Sequence, residues 1–331
     1  MAVNAEDQVE AMAACARLYF LEDRSKTEIA TELGLSRFKV ARLISTAREV
    51  GLVSITVHQP PQRRDELARR LRTAFGLREA VVVASSAGFD TAGEATAALL
   101  CTALEPGDLL GMGWGRSVDA VVAALSGRAG VPSGVGVVQL AGGLTGSDPA
   151  FDPSGVAARA AASLGGPLHQ LHAPAFLASA STRDALLQEP EIATTLRAGR
   201  ALSVALVGIG ALGPDPDSAL VAGDALPALA RKQLTALGAN ADVVCHFFDA
   251  DGAPVGAWED RTVAVPMEAF SRTPLRVGVA VGHRKAGAVL SVLRASIIDV
   301  LVTDSACALA VLSGMGPERR AEAGVSADGP R

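Results

Sequence analysis

The segment GMGWGRS at residues 111–117 combines the residue types that bind an anion. It follows the apolar run GDLLGMG and precedes a helical pattern, so its glycines let main-chain N–H groups approach an anion at a helix N-terminus. Arg116 can add a charged hydrogen bond and Ser117 a hydroxyl. The segment matches neither glycine motif for nucleotides, and we expect a phosphate or polyol instead. A glycine-rich turn without a ligand is the alternative.

Five other apolar runs also end in glycines or polar residues. Because the carboxyl ends of parallel strands meet at one edge of a sheet, we expect several of them to share one crevice. Lys285 stands out, since it opens a predicted helix directly after a strand; a solvated lysine at a helix start is the alternative. At each of the other strand ends, the same residues could simply form a turn. The five ends are Gln139 with Gly142 and Gly143, Gly208 with Gly210, Phe248 with Asp249, Gly282 with Lys285, and Thr303 with Asp304.

Other constellations do not support catalysis or metal binding. His169 and His172 lie three residues apart and would face opposite sides of a strand. Asp249 and Asp251 resemble the start of a calcium loop, but the downstream ligands are missing at the required spacing. A turn, or an acid that lines a ligand site, fits this segment better. We therefore predict no metal, no cofactor and no catalytic residue.

A second kind of chemistry lies near the N-terminus, on the basic helix predicted after Ser36. At about 100° per residue, Phe38, Arg42 and Ser45 point outward, with Lys39 beside them. Cations and small hydroxyls suit phosphates and base edges in the major groove, and an outward Phe can contact a thymine methyl. A plain three-helix bundle with a charged face is the alternative. The predicted DNA-contacting residues are Thr27, Ser36, Arg37, Phe38, Lys39, Arg42 and Ser45.

Three helices and a wing must position that face. Apolar spacing predicts a first helix over 7–22. Ser25 and Glu28 form a capping box for a second helix, which ends at Gly34. Ser36 caps the third helix, which buries an apolar stripe and ends at Gly51. Residues 52–58 alternate as a strand does, so we predict a winged helix-turn-helix over residues 1–58.

A basic amphipathic helix follows as a connector over 59–78, and the pattern then changes. Apolar, β-branched runs alternate with Ala- and Leu-rich helical stretches, which predicts a large α/β domain with a mostly parallel sheet covered on both faces. We place this domain at 79–315. Residues 316–331 lose their apolar content, so we expect a disordered tail.

The composition of the 331 residues agrees with an intracellular, multi-domain protein. No apolar run reaches the length of a membrane span, and the acidic N-terminus does not fit a signal peptide. Four widely separated cysteines suit a reducing cytoplasm. The net charge of −5 conceals a mildly basic N-terminal part and an acidic remainder, as expected for a DNA reader joined to another domain.

Taken together, these segments resemble the SorC family of bacterial transcriptional regulators over roughly residues 10–313. The resemblance rests on the helical segment that ends in SRFKVARLISTAREVGLVSI and on GMGWGRS, AGG, LHAPAF, VGIG, DADGAPV, GHRKAGAVLSVLR and DVLVTDSACALAVL. It implies an effector domain similar to ribose-5-phosphate isomerase and glucosamine-6-phosphate deaminase that is no longer catalytic. It also implies a homo-oligomer, commonly a tetramer, whose affinity for a DNA operator is set by a sugar or phosphosugar.

Transferred onto this chain, the resemblance assigns the strand-end loops to effector binding. It departs from the family at Asp152, where an Asn or Glu is common near the helix start. Because Asp152 is charged, it could suit a hydroxyl and repel a phosphate, which leaves the phosphorylation state of the effector open. The predicted effector residues are Gly113, Trp114, Gly115, Arg116, Ser117, Gln139, Gly142, Gly143, Asp152, Gly208, Gly210, Phe248, Asp249, Gly282, Lys285 and Asp304.

The sequence thus predicts a DNA-binding regulator controlled by a sugar, polyol or sugar phosphate. The main rival is an active sugar-phosphate isomerase or deaminase fused to a DNA-binding head. Such an enzyme needs a base and a partner acid or lysine in the crevice, for which Asp249, Asp304 and Lys285 are the candidates. A weaker rival is a large domain that only oligomerises.

Overall fold

The computed structural model describes residues 5–50, 52–53, 61–144, 152–213, 216–222 and 225–315. The chain divides into two units, Met1–Val57 and His58–Arg331. Most of the predicted wing over 52–58 and the whole predicted tail over 316–331 lie outside the described residues. No helix among the described residues is long and apolar enough to cross a membrane.

Where the structure describes it, the first unit contains three helices, α1 (Ala5–Phe20), α2 (Lys26–Glu32) and α3 (Arg37–Glu49). The predicted capping box is present at α2, because the Ser25 hydroxyl accepts from the main-chain N–H of Glu28 and the Glu28 carboxylate accepts from that of Ser25. Ser36 caps α3 by accepting from the N–H of Lys39 at 3.2 Å. Gly34 has a φ of +62°, as the predicted left-handed residue after α2 should.

The core of this unit lies between the three helices. Its fully or nearly fully buried side chains include Ile29 of α2 and Val40, Leu43 and Ala47 of α3, which confirms the predicted apolar stripe. The stripe is shorter than the sequence pattern indicated. Leu21 and Val50 fit the apolar spacing but are exposed, because they lie just beyond the ends of their helices. Val9 also fits the spacing and is exposed within α1.

The second unit begins with a helix that was expected to be a connector. Helix α4 (Pro61–Phe75) buries Leu67 and Leu71 in the core of this unit and packs against its first strand and last helix. The helices that follow are α5 (Gly88–Ala103), α6 (Arg116–Leu125), α7 (Pro153–Leu164), α8 (Ala180–Leu186), α9 (Pro190–Ala198), α10 (Ala219–Ala222), α11 (Ala228–Ala236), α12 (Met267–Ser271), α13 (Ala286–Arg294) and α14 (Ser305–Ser313).

A parallel sheet of seven strands forms the centre of the unit, with the order β1-β10-β9-β5-β2-β3-β4. All of its pairings are parallel, which confirms the predicted sheet. Helices α5, α6 and α7 cover one face, while α4, α13 and α14 contribute to the core on the other. The strands are β1 (Glu79–Val83), β2 (Leu109–Met112), β3 (Val135–Gln139), β4 (Gly165–His169), β5 (Val204–Gly208), β9 (Leu275–Ala280) and β10 (Val300–Asp304).

The direction in which the sheet grows changes between β2 and β5. From β2 the chain adds β3 and β4 toward one edge, whereas from β5 it adds β9 and β10 toward the other. Loops that follow strands on the two sides of such a reversal diverge and leave a crevice. The loop after β2, residues 113–115 of the segment GMGWGRS, therefore lies beside the loop after β5.

The run ADVVCHFF does not form a strand of this sheet, in contrast to the prediction. It folds into an antiparallel hairpin of β7 (Ala239–Val243) and β8 (His246–Asp249), which joins β6 (Gly210–Ala211) in a separate sheet. Val244 and Cys245 adopt φ values of +53° and +62°, the conformation that a two-residue hairpin turn requires. Phe248 and Asp249 consequently do not end a strand of the parallel sheet.

Candidate functional site

The loop after β2 is held against β5 by its main chain. The N–H of Gly113 donates to the carbonyl of Leu206 at 2.8 Å, and a side chain at Gly113 would press on Val207. Gly115 has a φ of +100° and begins α6 without a side-chain cap. The Trp114 side chain is buried in the hydrophobic core and anchors the loop there. Arg116 and Ser117 occupy the first turn of α6.

Arg116 projects from this turn to a carboxylate that the sequence analysis did not select. Its Nη2 lies 2.5 Å from Oδ1 of Asp217, and its guanidinium stacks over the ring of Phe89 at 5.1 Å. About half of the Arg116 side chain remains accessible, against about a fifth of that of Asp217. The cation is thus fixed in direction by two contacts and is still reachable from solvent.

Lys285 approaches the same aspartate from the loop after β9. It lies in the short 3-10 turn His283–Lys285, which precedes α13, and its side chain is about nine-tenths buried. Its Nζ donates to the main-chain carbonyl of Asp217 and lies 3.9 Å from Oδ2 of that residue. Burial lowers the pKa of Lys285, and the nearby Asp217 and Asp242 oppose that shift. The solvated reading of Lys285 is therefore wrong.

Asp242, on β7 of the smaller sheet, is a second carboxylate that interacts with Lys285. It is buried on β7, and burial raises its pKa to about 6, although Lys285 and a hydrogen bond from Ser218 act in the opposite direction. The Ser218 hydroxyl donates to Oδ1 of Asp242 at 3.3 Å. Gly210 is required here because a Cβ at that position would overlap the Asp242 carboxylate. Gly208 lies against the main chain of Trp114 and likewise leaves no room for a side chain.

The predicted residues after β3 have structural partners within the protein. Gln139 is fully buried, donates from Nε2 to the carbonyl of Ala141 at 2.7 Å, and accepts from the N–H of Leu171 at 3.2 Å. Gly142 is pressed against the main chain at Ala173, and Gly143 bridges to Pro174. These residues shape the loop wall at this edge of the sheet.

Two predicted carboxylates serve as helix caps. Asp152 accepts from the N–H groups of Ser154 and Gly155 at 3.0 and 3.4 Å and caps α7. Asp304 is almost fully buried, caps α14 through the N–H of Cys307, and also accepts from the N–H of Gly282 at 3.1 Å. Asp304 thereby fixes the Gly282 turn that leads to Lys285.

Phe248 and Asp249 lie apart from this arrangement in the hairpin. Phe248 is buried, and Oδ1 of Asp249 accepts from the N–H groups of Asp251 and Ala253 at 2.9 and 2.8 Å. Of the two interpretations of this segment, the turn is the one that the contacts support. Within the described ranges, no group of three metal-ligating side chains occurs, at His169 and His172 or elsewhere.

The structure therefore brings Arg116 and Lys285 together and adds Asp217, Ser218 and Asp242, which the sequence analysis missed. Asp217 lies in the acid- and proline-rich segment GPDPDS after the VGIG run, and that clustering of acids was the available signal. Asp242 gave a weaker signal, a single acid within an apolar run. We call the five residues Arg116, Asp217, Ser218, Asp242 and Lys285 the crevice cluster.

The outward face of α3 forms a separate candidate interface in the first unit. Phe38 is 89% exposed, so its ring packs against almost none of the described part of this unit. Arg37, Lys39, Arg42 and Ser45 are also exposed, as is Thr27 on α2. Ser36 is exposed at the N-terminus of α3, where its hydroxyl serves as the cap. The predicted orientation of the helix is confirmed.

Comparison with known proteins shows that this chain is similar to transcriptional regulators that contain a sugar-binding domain. Residues 59–313 match the family model described as "Putative sugar-binding domain". The sorbitol operon regulator of Klebsiella pneumoniae is 29% identical over 309 residues, which cover 90% of this chain and 96% of that protein. The transcriptional regulator LsrR of Escherichia coli K12 is 29% identical over 308 residues, 92% of this chain and 94% of the relative. The crystal structure of full-length SorC from K. pneumoniae aligns with a TM-score of 0.67 and 28% identity over 92% of this chain and 98% of that one.

Proposed function

The chain belongs to the SorC family of transcriptional regulators and contains its sugar-binding domain, and from this premise we propose that a sugar, polyol or sugar phosphate controls its affinity for a DNA operator. The family assignment confirms the resemblance that the sequence indicated. It also confirms the prediction of a regulator and not an enzyme, because the relatives that match most of the chain are named as regulators.

We assign operator binding to α2 and α3, acting as a helix-turn-helix with a wing. The capped start of α3 enters the major groove, where its outward residues contact base edges and phosphates. Arg42 reads a base and Phe38 contacts a thymine methyl, while Arg37 and Lys39 contact phosphates. Thr27, Ser36 and Ser45 supply hydroxyls at close approach. The exposure of Phe38 is the observation that supports this assignment.

We assign effector binding to the crevice cluster. The observation that carries this proposal is that Arg116 after β2 and Lys285 after β9 both contact Asp217, which follows β6, near the point where the sheet reverses its direction of growth. Arg116 and the main-chain N–H groups at the start of α6 receive the anionic or most polar end of the ligand. Ser117 and Lys285 contact the same end. The predicted effector residues at the ends of the parallel strands shape the loops around it, whereas Phe248 and Asp249 belong to the hairpin and are not assigned to the ligand. We expect the domain to resemble ribose-5-phosphate isomerase and glucosamine-6-phosphate deaminase.

The rival enzyme hypothesis loses its candidate bases to structural roles. Asp304 caps α14 and holds Gly282, while Asp249 closes the turn after β8. Both carboxylates thus accept main-chain hydrogen bonds that hold their own loops. The three candidates that the sequence named therefore do not form the acid and base pair that sugar isomerisation needs.

We further propose that the protein is a homo-oligomer, as a tetramer with two-fold symmetry, and that its operator contains inverted half-sites. The basic helix α4 is the element that we expect to join the DNA-binding heads, and because Leu67 and Leu71 are buried in its own unit, only its remaining surface is available for that contact. Light scattering at micromolar concentration tests the assembly, and a monomer with and without DNA contradicts it.

Operator binding in the presence of candidate ligands tests the proposed function. Fluorescence anisotropy of a labelled operator is measured at fixed salt with sorbitol, other polyols, pentoses, hexoses and their phosphates. At least one ligand should shift the operator dissociation constant, since a ligand that prefers one state moves the equilibrium by its differential affinity. Absence of any shift across the panel, together with turnover of a pentose or hexosamine phosphate, would favour the enzyme instead.

A further inference from the structure

The carboxylate of Asp217 occupies the position between the two cations of the crevice. Oδ1 pairs with Arg116 at 2.5 Å, and Oδ2 lies 3.9 Å from Nζ of Lys285. The two oxygens are therefore shared between cations that come from different loops, in the manner of two oxygens of a phosphate group.

We propose that Asp217 is an internal competitor for the anionic end of the effector, and that it makes the site selective for a phosphorylated ligand. This inference rests on the proposed function, because it concerns the same crevice. A neutral hydroxyl cannot replace the carboxylate between two cations without the loss of the charge-assisted hydrogen bond to Arg116 and of the ion pair with Lys285. A phosphate ester, with a charge of about −1.5 to −2 and three acceptor oxygens, can satisfy both cations.

The position of Asp217 allows this exchange with little rearrangement. Its main chain is fixed, because its N–H donates to the carbonyl of Ala211 at 3.0 Å and its own carbonyl accepts from Lys285. Its side chain is partly accessible, and that of Arg116 is about half accessible. Rotation of the Asp217 side chain alone frees Arg116, while Lys285 stays anchored to the Asp217 carbonyl.

Asp152 does not oppose a phosphate in this arrangement. Its carboxylate accepts from two main-chain N–H groups at the N-terminus of α7. Hydrogen bonds and the positive end of the helix dipole compensate its charge there. The crevice carboxylate that an incoming anion must displace is thus Asp217.

The test replaces Asp217 with Asn, which keeps the shape and removes the charge. Isothermal titration calorimetry of the full-length protein with inorganic phosphate compares wild type, Asp217→Asn and the matched control Asp184→Asn, whose exposed carboxylate pairs with Arg183 on α8. Removal of one competing charge from a partly exposed pair should tighten phosphate binding about 3- to 10-fold in Asp217→Asn and leave the control at the wild-type value. Asp217→Ser provides a second variant without the charge.

The opposite results overturn the inference. Unchanged phosphate affinity in both Asp217 variants would show that the carboxylate does not compete, and weaker affinity would assign Asp217 to ligand binding. Undetectable phosphate binding by a folded Asp217→Asn would also contradict it. If that variant gains phosphate affinity but no sugar phosphate alters operator binding, the competitor stands and the proposed function fails. If sugar phosphates alter operator binding through Arg116 but Asp217→Asn binds phosphate with the wild-type affinity, the proposed function stands and the inference about Asp217 fails.

Discussion

Arg116 and Asp217 lie 101 positions apart in the chain and meet at 2.5 Å across the reversal point of the parallel sheet. One residue begins the helix after β2, and the other lies in the segment that follows β6. Their contact, with Lys285 joining from the loop after β9, connects three separate segments through one aspartate. A ligand that breaks or replaces this contact changes the relation between these loops, which is what an effector must do to influence the rest of the protein.

The first prediction concerns the DNA-reading helix. Arg42→Ala should weaken binding to a specific operator by roughly 1–3 kcal/mol and relax the preference at one base pair, because a bidentate contact to a base edge is lost. Arg37→Ala should weaken all sequences alike. Arg48→Ala, in the last turn of the same helix, is the matched control. Anisotropy titrations at fixed salt check this, and an Arg42→Ala variant with unchanged affinity and selectivity would refute the groove assignment.

The second prediction concerns the capping box of α2. Ser25→Ala removes the hydroxyl that accepts from Glu28 N–H, so the amides of α2 should exchange with solvent about 3- to 10-fold faster. Ser25→Thr keeps a hydroxyl and should stay close to wild type. Hydrogen exchange of the full-length protein measures both variants. Equal protection in Ser25→Ala and wild type would mean that the cap does not limit local opening.

The third prediction concerns the pH dependence of stability. Burial raises the pKa of Asp242 to about 6 from an ordinary value of 3.8, so the native state binds this proton more tightly than the unfolded state does. The free energy of unfolding of wild type therefore falls as pH rises from about 4 to about 6 through this group. Asp242→Asn lacks the titration, and its free energy of unfolding relative to wild type should rise over that interval, by at most about 1.4 kcal/mol per pH unit.

Urea unfolding at pH 4, 5, 6 and 7 measures this difference. Tryptophan fluorescence reports on the second unit alone, because both tryptophans of the chain, Trp114 and Trp258, lie in it. Asp184→Asn, which alters an exposed carboxylate, serves as the control. A pH-independent difference between Asp242→Asn and wild type would show that Asp242 does not titrate in this range.

The features that the sequence predicted well depend on short-range rules. Ser25 and Glu28 satisfy each other within one helical turn, and Gly34 supplies the left-handed residue that ends α2. Six of the seven strands of the parallel sheet were recognisable because burial on both faces produces continuous apolar runs. The edge strand β4 was missed because GGPLH contains Gly and Pro and has no fully buried residue. Arg116 and Lys285 followed from the rule that ligands bind beyond the ends of such strands.

The features that the sequence did not predict depend on residues far apart in the chain. The hairpin turn at Val244 and Cys245 contains no Gly or Asn, so nothing in its composition indicated two residues with positive φ. Asp217 and Asp242 acquire their roles only because the second, smaller sheet carries them to Lys285. Likewise, the caps at Asp152 and Asp304 were read as ligand residues, because strand-end position alone does not separate the two roles.

The most direct test of the account is the effector response of the Arg116→Ala variant. Operator binding is titrated with the active sugar or sugar phosphate for wild type, Arg116→Ala and the control Arg128→Ala, whose guanidinium pairs with Glu94 at 2.8 Å. We predict that Arg116→Ala keeps the effector-free operator affinity of wild type and loses the response to the ligand, while Arg128→Ala retains it. A response of Arg116→Ala with the wild-type midpoint would place the effector outside the crevice cluster and contradict the account.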